Sequence, residues 1–160
     1  MRALVLLAAL AAAACSKPEP PTIVPESAKV TSVDPQALHL TVTLTATNPN
    51  KVDLPVQDFT AHVVVGDKVD LGTTTVAQAT SLPAGKATKV DVPLAVQWTD
   101  LTALAQLAVS PTPVPFSVDG HADLGGDLLH VAVPFTIKGS MTREQLLGAA
   151  ARSLPPNLFR

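Results

Sequence analysis

The sequence is poor in the groups that carry chemistry. Its 160 residues hold one cysteine, one tryptophan, four histidines and no tyrosine, and aromatic residues make up only 3%. A single cysteine, Cys15, excludes an intrachain disulfide, so packing alone must hold the fold. Charge is also scarce: 15% of residues are charged and the formal net charge is −2. Nothing clusters Lys and Arg in the way phosphate binding needs, which argues against nucleic acid as a partner. The same balance does not select an anionic membrane surface. No apolar run is long enough to cross a bilayer as a helix, which takes about twenty residues. The longest, Ala3–Ala14, has twelve.

That short run has a meaning of its own. It follows a charged start, Met1-Arg2, and ends in small residues, which is the pattern of a secretory signal peptide. Leu10-Ala11-Ala12-Ala13-Ala14-Cys15 resembles the bacterial lipobox, most closely at Ala14-Cys15. In such signals the cysteine is diacylglycerylated and becomes the new N-terminus. The expectation is a signal peptide over 1–14, lipidation at Cys15 and a membrane anchor there, strong because each buried CH₂ contributes about 0.8 kcal/mol. The alternative is an ordinary signal peptide with an incidental cysteine. Cleavage would remove Arg2 and leave the chain one unit more negative. Ser16, by resemblance to enterobacterial sorting, favours the outer membrane, with the domain on its periplasmic face. Residues 15–21 contain Pro18, Pro20 and Pro21 and read as a semi-rigid tether.

Hydrophobic residues make up 47% of the chain, enough for one domain with a core of Val, Leu and Ala. The clearest stretch is Ala37–Asn50, ALHLTVTLTATNPN. Leu38, Leu40, Val42, Leu44 and Ala46 alternate with His39 and four threonines, the mark of a half-buried strand. Asn48-Pro49-Asn50 ends it, because Pro49 cannot donate to a ladder and the asparagines favour a turn.

Around this strand the pattern predicts about seven. A short edge strand precedes it, ending at Asp34-Pro35. An irregular crossing, Lys51–Val56, follows, then a strand from Phe59 to Val65. Gly66-Asp67 reads as a hairpin turn and Lys68–Ala79 as a return strand that alternates less cleanly, with Val69, Leu71 and Thr73 together. Ser81–Gly85 is a loop, and Ala87–Trp98 a strand that Pro93 assigns to an edge or a bulge. Thr99–Ala108 switches to helical spacing, with Thr99 as N-cap and Pro111-Thr112-Pro113 as terminator. A strand from Val114 is interrupted by Gly120 and turned back at Gly125-Gly126. The last strand, Leu129–Lys138, ends at Gly139-Ser140, and Met141–Ala151 is a helix capped by Ser140. Leu154-Pro155-Pro156-Asn157 cannot be helix. The count and spacing predict an all-β fold, an antiparallel β-sandwich of immunoglobulin or fibronectin III type, occupying 22–139 and followed by a C-terminal helix and tail over 140–160.

No catalytic constellation emerges. His39, His62 and His130 fall on polar strand faces and read as solvated. Asp119–Asp127 is the densest polar cluster, but it lacks the ligand order of a calcium loop, and zinc would need convergent ligands. No serine has a Gly-x-Ser-x-Gly context. Trp98 reads as an anchor at a strand end. The expectation is no enzyme, no metal and no cofactor.

From residue 38 to 139 the chain resembles the late embryogenesis abundant type 2 family, also called the water stress and hypersensitive response domain. The features stand in order: Leu40–Thr47 leading to Asn48-Pro49-Asn50, then Leu54-Pro55-Val56, Phe59, Leu82-Pro83-Ala84-Gly85, Val90–Leu94, and Val133–Gly139. The resemblance implies a fibronectin-like sandwich, an association with desiccation or osmotic stress, and no catalytic residues. Lipid-anchored bacterial members are common in it. Three roles follow: a protective protein of the cell envelope acting through threonine-rich strand faces, an adaptor binding an envelope protein through a strand edge or the 101–108 helix, or a ligand-carrying sandwich with an apolar cavity.

Overall fold

The computed structural model describes residues 18–110, 113–126 and 129–153. The expected signal segment 1–14, Cys15, residues 16–17, Pro111-Thr112, Asp127 and the Leu154–Asn157 stretch lie outside the described residues. The elements run β1 (Thr22–Val33), β2 (Ala37–Thr47), β3 (Leu54–Val65), β4 (Val69–Leu82), β5 (Ala87–Gln97), α1 (Leu101–Ala108), β6 (Val114–Gly126), β7 (Leu129–Met141) and α2 (Arg143–Ser153). They form two antiparallel sheets, ordered β1-β2-β5 and β4-β3-β6-β7. The fold is the all-β sandwich expected from the sequence.

β2 is the middle strand of its sheet, and its alternation is the cause. Leu38, Leu40, Val42, Leu44 and Ala46 are all buried against the facing sheet's Phe59, Ala61, Val63, Val65, Val118 and Leu124. Each such Leu or Val, fully buried, contributes about 1.5–3 kcal/mol. The opposite face of β2 is half-exposed threonine. Mid-strand prolines sit where a missing N–H does no harm. Pro25, Pro93 and Pro134 belong to the edge strands β1, β5 and β7, as Pro93 foretold. Only β4, of the four edge strands, carries no proline. β1 packs beside β7 and β4 beside β5, so the sandwich is closed along both sides.

Several boundaries differ from expectation, each for a local reason. β1 is not short: its twelve residues keep pace with β2 through register shifts at Pro25/Ser27 and Val30/Ser32. β3 starts at Leu54, inside the expected crossing, and β4 runs on to Leu82, inside the expected loop, because Leu54 and Leu82 pair and both are buried. The uneven alternation of β4 comes from a register shift opposite His62/Val64, beside Gly72 at φ +81. It moves the inward set from Leu71 to Val76 and Leu82 and turns Thr73 outward.

Gly120 does not interrupt β6, and Gly139 does not end β7. Gly120 pairs with Phe135 and Gly139 with Phe116. A Cβ at Gly120 would stand 2.8 Å from Phe135 Cζ, and nearer still to the Thr60 carbonyl; one at Gly139 would collide with the Phe116 ring. Each glycine leaves room for a ring of the neighbouring strand, an arrangement that keeps the strand intact. Gly125 and Gly126 likewise still pair, with His130 and Leu129.

Both helix caps shift by a residue or two. Asp100, not Thr99, caps α1, accepting from the Thr102 N–H at 2.7 Å, while the Thr99 hydroxyl donates to the Asp70 carbonyl. Thr142, not Ser140, starts α2. Gln145 Oε1 accepts from the Thr142 N–H at 2.9 Å while the Gln145 N–H reaches the Thr142 hydroxyl, a capping box. The two helices touch each other at the end of the sandwich that holds the Gly66–Lys68 turn and the start of β2. The opposite end holds the entry to β1, the Asn48–Asp53 crossing and the 83–86 loop.

Candidate functional site

The most highly organised polar group in the molecule is the Asn48-Pro49-Asn50 turn. It forms where the chain leaves β2 for the other sheet, and Pro49 contributes no N–H that would need a partner. Asn48 is the one buried polar residue among those described, with 0% exposure. Its amide nitrogen donates to the carbonyls of Val52 at 2.8 Å and Leu82 at 2.9 Å. Its Oδ1 accepts from the Asn50 N–H at 3.0 Å and the Asn50 side-chain amide at 3.1 Å. All four hydrogen-bonding positions of the side chain are therefore filled, which is what a buried amide requires. The backbone joins in: Asn48 N–H donates to the Lys86 carbonyl and Gly85 N–H to the Asn50 carbonyl, both at 3.0 Å. Aspartate could not replace Asn48, because two carbonyls demand donors on one side.

Asn50 faces the other way, toward the chain's entry. Its Oδ1 accepts from the Glu19 N–H and its amide donates to the Glu19 carbonyl, both at 2.8 Å. One side chain thus holds a backbone segment as a neighbouring strand would. Pro21, two residues on, is buried. Glu19 and Pro21 were grouped with the tether on composition, yet the domain grips both. The turn is a junction of four segments: the entering chain at Glu19, the β2–β3 crossing, the end of β4 and the β4–β5 loop. Asp53 strengthens it by accepting from the Ala84 N–H at 2.8 Å.

A comparable junction closes the other end of β2. Asp34 Oδ1 accepts from the N–H groups of Gln36 and Ala37, each at 2.8 Å, and Oδ2 meets His39 Nε2 at 2.9 Å. The Ala37 and Gln36 amides hold the Asp34 carboxyl below its ordinary range, with a smaller contribution from His39. Trp98 caps this end as the anchor expected, its indole donating to the Asp34 carbonyl at 3.0 Å.

His39, His62 and His130 stand on outward strand faces as expected, their side chains 38%, 38% and 63% exposed, and each lies near a carboxylate. His62 lies 3.4 Å from Asp70, and His121 and His130 lie 3.4 and 3.8 Å from the two oxygens of Asp123. Asp119, in the same stretch, accepts from the Thr136 hydroxyl at 2.7 Å. These partners are set by strand register, apart from His121 and Asp123, which stand two residues apart on β6. Among the described residues no three His, Cys, Asp or Glu side chains gather as a metal site. A groove of about 490 Å³ lies at the β4–β5 seam, bordered by Leu71 and Thr73 on one side and Gln97 and Trp98 on the other.

The two sheets, their order and the asparagine junction define a fibronectin-like sandwich whose best-built polar group is structural. The family model for late embryogenesis abundant protein matches residues 43–139, more than half of the chain. The chain belongs to the late embryogenesis abundant type 2 family. Solved structures share the fold at low identity. A solution structure of AT1g01470 from Arabidopsis thaliana is 17% identical, with a TM-score of 0.60 over 79% of this chain and 83% of that one. The solution structure of At2g46140.1, described as a late embryogenesis abundant protein, is 14% identical, with a TM-score of 0.62 over 79% and 75%. A crystal structure of a protein from Archaeoglobus fulgidus is 10% identical, with a TM-score of 0.54 over 78% and 96%. No curated protein matches the sequence at a significant level.

Proposed function

We propose that this is a lipid-anchored envelope protein that protects membranes or neighbouring proteins when water is lost, without catalysing a reaction. Family membership supports the class, and the lipobox ending at Cys15 supports the anchor. The observation that carries the protective role is the chemistry of the sheet faces. On the three-stranded sheet the hydroxyls of Thr43 and Thr45 donate to Asp91 and Glu26 across strands. On the four-stranded sheet Thr60 meets Thr75 at 3.1 Å, Thr73 meets His62 at 3.3 Å, and Thr136 donates to Asp119. Hydroxyls held in register by a rigid ladder present ordered donors and acceptors to whatever surface loses its water. Such a surface needs no deep pocket and no metal.

The test is survival. A strain lacking the gene is expected to lose viability after drying or osmotic shock, and the full chain is expected to restore it. Unchanged survival of the deletion strain would sink the protective reading.

A second reading, an adaptor for an envelope protein, has one observation in its favour. At the helix end Val109 is 71% exposed and Leu147 42%. On α1, by contrast, Ala108 is buried and Leu107 packs on the core. Recovery of one stoichiometric partner by cross-linking, lost on Val109→Asp, would favour this reading.

A further inference from the structure

We propose that the Asn48–Pro49–Asn50 end of the sandwich is a membrane-contact surface, with Val52 at its tip resting in the headgroup layer of the bilayer that holds the acyl chains. This rests on the anchor at Cys15 proposed above. Its own content is an orientation, and the clamp between Asn50 and Glu19 supplies it. From Cys15 to Glu19 is four residues, a reach of at most about 14 Å when fully extended. Glu19 is then held on both its N–H and its carbonyl by Asn50. The leash cannot lengthen by peeling unless that clamp opens and Pro21 leaves its buried place.

The strands are far longer than the leash. The eleven residues of β2 span roughly 35 Å, so the leash holds the turn end at the interface and does not by itself bring the helix end there. What the turn end presents fits a lipid surface. Val52 is 64% exposed, and its backbone is fixed because its carbonyl accepts from Asn48. Lys51 and Lys86 are exposed beside it, within the same junction. Glu19 and Asp53 balance their charge, so the contact depends on the leash and on Val52 rather than on net attraction to anionic lipid. Apolar exposure alone could not have chosen the end, since Val109 and Leu147 stand at the other one. The leash decides.

The test uses the full acylated chain, purified from a bacterial host that processes lipoproteins and reconstituted into phosphatidylethanolamine–phosphatidylglycerol vesicles. Val52→Cys, Lys86→Cys, Gln36→Cys and Gln106→Cys each introduce one thiol, Cys15 being blocked by its own acylation. Each is labelled with a polarity-sensitive dye and read against lipid carrying a headgroup nitroxide. Fluorescence is expected to be lost at 52 and 86 and kept at 36 and 106, with the same contrast at high salt and in phosphatidylcholine vesicles. Equal quenching at all four positions, or stronger quenching at 106, overturns the orientation. Flotation separates the two claims: chain that floats without quenching at 52 keeps the anchor and loses this inference, and chain that fails to float loses both. A flexible insert of about 20 residues between Lys17 and Pro18, roughly 25 Å in mean reach, is expected to abolish the signal at 52 while flotation persists. Persistence of that signal would remove the leash as its cause.

Discussion

The two asparagines of the turn differ in what their loss would cost, because one is buried and the other is not. Asn48→Ala strips the donors from the Val52 and Leu82 carbonyls and the acceptor from Asn50. Each buried group left unpaired costs about 1–3 kcal/mol, so the urea midpoint should fall by the equivalent of about 3 kcal/mol. Asn50→Ala breaks bonds that water can replace and should cost about 1 kcal/mol or less. Its clearer effect is local, as faster amide exchange at Glu19. Equal losses for the two variants would mean that burial does not set their roles. The glycines give a second contrast. Gly120→Ala puts a methyl against the Thr60 carbonyl and the Phe135 ring, and overpacking of this kind costs about 1–3 kcal/mol. Gly72→Ala meets no atom within 4 Å and is strained only by φ +81, for about 1–2 kcal/mol. Both variants should melt earlier, but the native near-ultraviolet spectrum before melting should change for Gly120→Ala, where Phe135 must move, and not for Gly72→Ala. At this scale the sequence made the turn legible, since proline and asparagine announce it by their own chemistry. The burial of Asn48 was hidden, because its partner Leu82 stands 34 residues away.

Strands were read well where a single face decides them, as in β2 and β5, and poorly where a neighbour overrides local preference. Gly120 and Gly139 look like breaks until the facing phenylalanine is known. β4 looks ragged until its shift against β3 is seen. Sequence does not separate Asp100 from Thr99, because both residue types cap helices, and only geometry does. Asp100→Ala should cost about 1 kcal/mol in urea unfolding, whereas Thr99→Ala should cost less, having no N–H of the helix to release. The three-stranded sheet also carries a pH dependence. Lys89 lies 2.7 Å from Glu26 and, with the Thr45 hydroxyl, holds its carboxyl below the ordinary 4.5. The Ala37 and Gln36 amides hold Asp34 below 3.8. A depressed folded-state value means that the unfolded chain takes up the proton first. Both contributions are therefore whole above the ordinary values and are lost as pH falls through the lower folded ones. Acid titration of stability should show a drop beginning near pH 4.5, reduced in Glu26→Gln and reduced separately in Asp34→Asn. An unchanged acid limb in both variants would remove these carboxylates as its source.

For the whole molecule, the proposed anchor and the fold can be separated by a single substitution. Among the described residues the buried core begins at Val33, with Ile23 packed against it, and the clamp of Asn50 on the entering chain is at Glu19. Cys15→Ala removes the residue proposed to carry the acyl chains, four positions before that clamp. Its urea midpoint should equal that of the acylated chain measured in detergent, while flotation is lost. Survival after drying then divides two ways for threonine faces to act. If the hydroxyl ladders work on the membrane to which they are tied, Cys15→Ala should restore no more viability than an empty vector, although the folded domain is present in equal amount. If they work on soluble neighbours, the released domain should protect as well as the anchored one. The proposed anchor favours the first outcome, because a short leash would raise the local concentration of the domain near one surface. Full rescue by Cys15→Ala would leave the fold and its junction intact and would move the protective role away from the bilayer.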